Sequence, residues 1–411
     1  MLGLYPIRPD WVLGGEEAVI AMLSGQLSHD PQLDLHVITF RGGAGGQRVG
    51  ATGRSPLPDG PTAHRLVQPR FGRLTWHRAE IQRLHRALRA LQPDLVHAHG
   101  SLVYTAAAAN CGLPTVVTVH GIMAREARTL QIRRKRLARA LDAWFERYAL
   151  RRVQHLIAIS PYVLEAYPWL RPAQVHHIEN PVDDQFFDVV REEKPLRILC
   201  PLRVIPRKGL MFALQPLPEL VKEFPALQLR IAGESLAMPP YLEACQSFIA
   251  RQGLAQHVRF LDNLSMSELA EEYARCTLML LPSMQETAPV VIGEAMASGV
   301  PIVATRVGGV PYMVQDEVTG LLVDYGDVDG LTAALRRMLI DAPMRQAMGQ
   351  RARSAAEQRF RLAAVAERTK QVYQSIAGTN VSGRSGKIGK RGKVGGHSAR
   401  SADHSGPSNE E

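Results

Sequence analysis

The chain is poor in cysteine, with four in 411 residues (Cys111, Cys200, Cys245 and Cys276), the nearest two, Cys245 and Cys276, being 31 positions apart. There is no C-x-x-C and no His/Cys pair at zinc-finger spacing, a pattern that fits a reducing cytosol better than a disulfide framework, and the cysteines are expected as small core residues. Long apolar runs are also missing. No stretch approaches 18 uncharged apolar residues, and Asp10, Glu16 and Glu17 interrupt the first 30 positions, so neither a spanning helix nor a secretory signal is expected and the protein reads as cytoplasmic. Acidic residues are in deficit, 39 against 49 Lys and Arg, a net charge of +10. The remaining composition, 45% hydrophobic and 21% charged, is that of a water-soluble globular chain and rules out wholesale disorder. At roughly 150 residues per domain the length corresponds to two or three domains.

The basic excess is concentrated in two places. Residues 379–411 form a Gly/Ser-rich basic tail whose only large apolar residues are Val381, Ile388 and Val394, too few to offset the entropy of ordering it. The second place is Arg125–Arg152, where ten Arg and Lys oppose Glu126, Asp142 and Glu146. Leu130, Ile132, Leu137, Leu141, Phe145, Tyr148 and Ala149 recur there near helical spacing, which predicts one long amphipathic helix with a basic flank. Such a face is either simply solvated or a contact for an anionic membrane surface or acceptor.

Between these features, short β-branched runs alternate with helical patterns. Strands are expected at Leu35–Phe40, Leu95–Ala98, Thr115–Val119, His155–Ile159 and Val175–Ile178. After a break over Asn180–Pro195 they resume at Leu196–Cys200, Leu227–Ala232, Val258–Leu261, Leu278–Leu281, Pro301–Thr305 and Leu321–Val323. Helices fall between them, and Pro343–Arg359 and Leu362–Ile376 follow the last strand. Such alternation implies parallel βαβ units in an α/β fold, here two doubly wound Rossmann-like domains with ligands expected at the carboxyl ends of the strands. The boundaries read as 1–190, 191–360, a C-terminal helix 361–378 and a disordered tail 379–411.

The segment LLPSMQETAPVVIGEAMASGVPIVATRVGGVP (280–311) is the most informative. Glu286 lies in the loop after a strand, Pro289 suits a first helical position, and Glu294 sits one to two turns into the helix that follows. Two carboxylates beside a helix N-terminus suit a ligand with many hydroxyls and a phosphate, although helix-dipole stabilisation and a solvated Glu explain the same spacing.

This segment resembles the E-x7-E region of the family 4 glycosyltransferases, which have the GT-B architecture of two Rossmann-like domains facing across a cleft. Other pieces occur in the family's order: Gly14-Gly15-Glu16, PDLVHAHG (93–100), TVHG (118–121), AIS (158–160), IENPVDDQFF (178–187), RVIPRKG (203–209), VGGVP (307–311) and VTGLLVDYGD (318–327). The resemblance implies a retaining, metal-independent transferase that moves a sugar from a nucleotide diphosphate-sugar donor to a saccharide or lipid-linked acceptor, in cell-surface polysaccharide or glycolipid synthesis at the inner face of the membrane. It further implies that the N-terminal domain binds acceptor and the C-terminal domain nucleotide, and that neither a separate cofactor nor nucleic acid is involved. Residue by residue, it places Arg203 and Lys208 on the diphosphate, Glu286 on sugar hydroxyls, His120 near the transferred sugar, Glu294 on the ribose, and Gly15, Val290 and Val291 against the donor.

The chain departs from the family pattern at Leu202, where Gly is usual, at Tyr312, where Glu is usual, and at Thr287-Ala288-Pro289, where Gly-Phe-Gly is frequent. Pro289 has no N–H to donate. His97 and His99 are read as a non-metal pair, on the expectation that one ring faces away from the other across the strand. Asp327-Val-Asp329 reads as a helix cap rather than a metal-binding D-x-D. The GGAGG cluster (42–46) lacks the helix that a dinucleotide loop requires. Two other functions fit the same architecture: a nucleotide-sugar epimerase, and a non-catalytic nucleotide-sugar-binding or membrane-docked protein.

Overall fold

The computed structural model describes residues 1–6, 15–41, 60–69, 72–128 and 133–385. Gly14, the GGAGG cluster and 386–411 lie outside the described residues. The first domain contains β1 (His36–Arg41), β2 (Thr62–Val67), β3 (Val96–His99), β4 (Thr115–Val119), β5 (His155–Ala158) and β6 (Gln174–His177), all paired in parallel as β1-β2 and β3-β4-β5-β6. Leu2 joins the two groups into one sheet. Its N–H donates to His97 O and its carbonyl accepts from His99 N, both at 2.8 Å, while Ile38 N–H donates to Met1 O at 2.8 Å on the other side. A central strand this short leaves no periodicity to read, and it was not expected from the sequence; β2 was likewise not expected.

The second sheet is built from β7 (Arg197–Pro201), β8 (Gln228–Ala232), β9 (Val258–Asp262), β10 (Leu278–Leu281), β11 (Ile302–Thr305) and β12 (Gly320–Val323), in the order β9-β8-β7-β10-β11-β12 and parallel throughout. Helices cover both faces, so its strands are almost continuously apolar. Alternation divides them between two cores: Leu278 and Leu280 of β10 pack into one, Met279 and Leu281 into the other. Strand order reverses between β7 and β10, which makes the carboxyl ends of these two strands the topological switch point where a ligand crevice opens. This is the GT-B architecture of two parallel-sheet domains.

Packing refines the expected boundaries. Val182, Phe186 and Phe187 already belong to a core of the second domain, so the crossing begins near 181 rather than 190. The helix Leu362–Ser385 returns to the first domain, where Val365, Ala366, Val372, Tyr373 and Ile376 pack against Leu23, Leu27, Val116, Ile157 and Ile178. Tyr373 Oη lies 2.6 Å from His97 Nδ1 inside the first sheet, and Lys370 pairs with Asp30. The helix also runs seven residues into the stretch expected as disordered tail. Among the described residues, no helix is long and apolar enough to cross a membrane.

Truncation after Ser385 should leave the melting temperature unchanged. Truncation after Arg361 exposes the five apolar partners of the returning helix, each worth about 1.5–3 kcal/mol when buried, and should yield insoluble or non-cooperatively melting protein. Melting of the shorter form within a few degrees of the full chain would refute this docking.

Candidate active site

At the switch point, β7 continues into Leu202 and Arg203. Arg203 is exposed on the cleft side, its Nε and Nη2 donating to Glu234 Oε2 at 2.9 and 2.6 Å. The following turn, Pro206–Lys208, ends at Gly209, whose φ of +74° is left-handed and whose Cα lies so close to β10 that a Cβ would sit 1.9 Å from Pro282 O. Only glycine fits there. That approach delivers Lys208 to Glu286, with Nζ donating to Oε1 at 2.6 Å. Ser283 Oγ donates to the same oxygen at 2.7 Å, and Arg207 Nη1 stands 4.0 Å from Oε2 while donating to Gln285 O at 3.0 Å. Burial alone would push the Glu286 carboxyl up. The charges of Lys208 and Arg207 and the bonds from Lys208 and Ser283 outweigh it and hold the group below its ordinary value, so it is ionised at neutral pH.

The VGGVP loop supports Glu286 from below. Gly309 N–H donates to Glu286 O at 3.1 Å, and a Cβ at Gly308 or Gly309 would lie 1.9 Å from Glu286 O or 1.7 Å from Thr287 O. Beyond the loop, Pro289 is the N-cap of the helix Val290–Ala297 rather than its first residue, its ψ of 120° being extended. Glu294 lies on that helix and accepts from Tyr273 Oη at 3.1 Å. Burial pushes its carboxyl up to about 7; the tyrosine bond opposes this and nearby Asp183 adds to it.

The same loop reaches the first domain. Gln285 Nε2 donates to Tyr162 Oη at 3.1 Å, Asn180 Nδ2 donates to Ala288 O at 3.1 Å, and a Cβ on Gly15 would meet Val290 Cγ2 at 3.3 Å. The structure therefore joins Lys208 to Glu286 and Gly15 to Val290, with Arg203 at the adjacent strand end. Val291 contributes packing instead, its side chain against the second-domain core and its carbonyl accepting from Tyr273. His120, after β4, has Nε2 3.0 Å from His99 Nδ1, and burial lowers it to about 4.

The His97 and His99 rings do not diverge as expected. Two residues apart, they share a face and stack with centroids 4.1 Å apart. His97 is nonetheless committed to Tyr373 and, at 2.7 Å, Thr118 Oγ1, and no group of three His, Cys, Asp or Glu among the described residues is arranged to hold a metal. Asp327 caps the helix Val328–Ile340 through Gly330 N–H. Sequence reasoning missed Arg207, Ser283, Gln285 and Tyr273. Arg207 adjoins Lys208 and was findable, whereas nothing local marks Tyr273 as a partner for Glu294.

The family described as "Glycosyl transferases group 1" matches residues 181–355, and "Glycosyltransferase Family 4" matches residues 13–186. Together they take in both domains. The chain belongs to the family 4 glycosyltransferases. This family member is 36% identical over 159 residues to the GDP-mannose-dependent alpha-(1-6)-phosphatidylinositol monomannoside mannosyltransferase of Mycolicibacterium smegmatis, a stretch covering 37% of this chain and 41% of that protein. It thus spans about two fifths of the length of that relative. Among solved structures, sucrose-phosphate synthase from Thermosynechococcus elongatus superposes with a TM-score of 0.73 at 20% identity, covering 92% of this chain and 99% of that one. Anabaena HepE in complex with UDP-glucose gives 0.68 at 20% identity, covering 93% and 100%. At such identities the likeness establishes the fold.

The Glu294 shift has a consequence for stability. The folded carboxyl titrates near 7 and the unfolded one near 4.5, so the native state holds the extra proton between these values and stability falls as pH rises through that window. Glu294→Gln should therefore lose less unfolding free energy between pH 5 and pH 8 than the parent, by on the order of 2 kcal/mol after solvent screening. Denaturant titrations at both pH values measure this, and equal losses in the two proteins would contradict a desolvated, upshifted Glu294 carboxyl.

Proposed function

We propose that the protein transfers a sugar from a nucleoside diphosphate sugar to an acceptor hydroxyl, with retention of anomeric configuration. The observation carrying this reading is the loop from Pro282 to Val290, which brings Glu286 onto Lys208 at the switch point and at the same time faces Gly15 and Tyr162 of the other domain. A diphosphate leaving group gains negative charge as the glycosidic bond breaks. Arg203 and Lys208 are the cations assigned to it, held in place by Glu234 and Glu286 before donor arrives, so little reorganisation accompanies the charge. Glu286, kept ionised, accepts from sugar hydroxyls, and Glu294 from the ribose. His120, kept neutral by burial, lies on the acceptor side near the transferred sugar.

No side chain in this arrangement is assigned as a covalent nucleophile. The acceptor oxygen attacks the anomeric carbon from the face that the diphosphate leaves, and its proton passes to a departing phosphate oxygen. Closure of the two domains excludes water from that step. The donor is assigned as a nucleoside diphosphate sugar because the mannosyltransferase relative is GDP-mannose-dependent and HepE was crystallised with UDP-glucose. The acceptor is assigned as a saccharide or lipid-linked hydroxyl at the inner membrane face, in cell-surface polysaccharide or glycolipid synthesis.

Arg203→Ala should reduce turnover by about 10²–10³ with the melting temperature unchanged, since the side chain is exposed and supports no core. Lys208→Ala should lose turnover and stability together, because it leaves the buried Glu286 charge with the Ser283 hydroxyl and, as its remaining cation, Arg207 at 4.0 Å. Normal release of nucleoside diphosphate from the donor in both variants would remove the assignment.

The two carboxylates should separate by calorimetry with free nucleoside diphosphate. Glu286→Gln should leave that affinity nearly unchanged, because the product has no sugar, while Glu294→Gln should weaken it by roughly 1.5–3 kcal/mol. Equal losses, or none, would break the division between sugar and ribose.

A further inference from the structure

The sequence counts Asp142 and Glu146 against the arginines of the Arg133–Leu150 helix, but the fold turns both inward. Asp142 is 3% and Glu146 1% exposed, the latter accepting from Met123 N–H just past His120. Phe145 and Ala149 are buried beside them. What faces outward on 140–152 is a stripe of Leu141 (50% exposed), Trp144 (57%) and Tyr148 (40%), flanked by exposed Arg147, Arg151 and Arg152. Positions 141, 144 and 148 share one helical face, so this second apolar stripe is directed at solvent.

Trp76, 41% exposed, comes from a distant turn and sets its ring edge-on to Trp144 with centroids 4.3 Å apart. Trp76 and His77 both have left-handed backbone, φ +52° and +55°, which is costly for non-glycine residues. This turn sets two tryptophans side by side while leaving both exposed. Beside them Arg152 stacks over Tyr148 at 4.3 Å, and an open groove of about 690 Å³ runs among Trp144, Tyr148 and the three arginines.

We propose that this face docks on an anionic lipid surface. Guanidinium groups pair with acidic headgroups, and Trp, Tyr and Leu partition at the boundary between headgroup and acyl chain, so one layer satisfies both halves of the patch. A nucleic acid would satisfy the charge and leave the Leu141 and Trp144 surface wet. The inference deepens the membrane-face reading under Proposed function and rests on it for its purpose: the same helix buries Glu146 against the segment after His120, so docking holds a helix of the acceptor-binding domain against the bilayer.

The test uses the full chain with vesicles of phosphatidylcholine alone or mixed with phosphatidylglycerol. The parent should bind the mixed vesicles, release at high salt, and shift its tryptophan emission to the blue on binding. Arg147→Ser/Arg151→Ser/Arg152→Ser should bind roughly 100-fold more weakly, and the corresponding triple Lys variant should restore much of the affinity. Trp76→Ser/Trp144→Ser should lose the blue shift. All variants should keep the parent's melting temperature and its calorimetric affinity for free nucleoside diphosphate. Parent-like vesicle binding by the triple Ser variant, equal binding to neutral vesicles, or a parent self-association that Trp144→Ser abolishes would overturn the proposal. Absence of nucleoside diphosphate binding in the parent would instead overturn the transferase reading, whatever the vesicles show.

Discussion

An ionised carboxylate buried at the carboxyl end of β10 imposes the main constraint on this molecule. Glu286 keeps its charge only because Lys208, Arg207 and Ser283 converge on it. That convergence depends on three glycines, since a Cβ at Gly209, Gly308 or Gly309 would overlap the backbone carbonyls of Pro282, Glu286 or Thr287. The Lys-Gly and Gly-Gly pairs of the motifs thus have a structural reason that precedes any ligand: they allow three strand-end loops to close around one charge.

The same loop governs how the domains meet. Gln285 bonds Tyr162, Ala288 accepts from Asn180 and packs against cores of both domains, and Val290 faces Gly15. A change in the relative position of the domains is therefore felt within a few residues of Glu286. The C-terminal helix adds a second tie, since it leaves the second domain at Phe360, whose carbonyl accepts from Val182 N–H at 2.9 Å, and buries its apolar side on the first.

Burial also redistributes charge that the sequence presents evenly. Glu16, Glu146 and Glu294 are all pushed up to about 7, chiefly by desolvation, whereas Glu286, less exposed than Glu16 or Glu294, is held below its ordinary value because cations reach it. Drawing Asp142 and Glu146 inward gives a helix of mixed charge a basic and aromatic exterior over 140–152.

The βαβ alternation, the break after Asn180 and the ordered motifs were legible because parallel strands buried on both faces are apolar runs, and because Lys208, Glu286 and Glu294 stand at fixed offsets from strand ends. Those features determined the two-domain class and the region of the site. Leu2 as a strand, β2, the stacked His97 and His99 rings, Tyr273 beneath Glu294 and the inward turn of Glu146 were decided only by tertiary structure. Each depends on a partner tens to hundreds of positions away, such as Tyr373 for His97, and local periodicity carries no information about which distant side chain will complete a hydrogen bond or remove a charge from water.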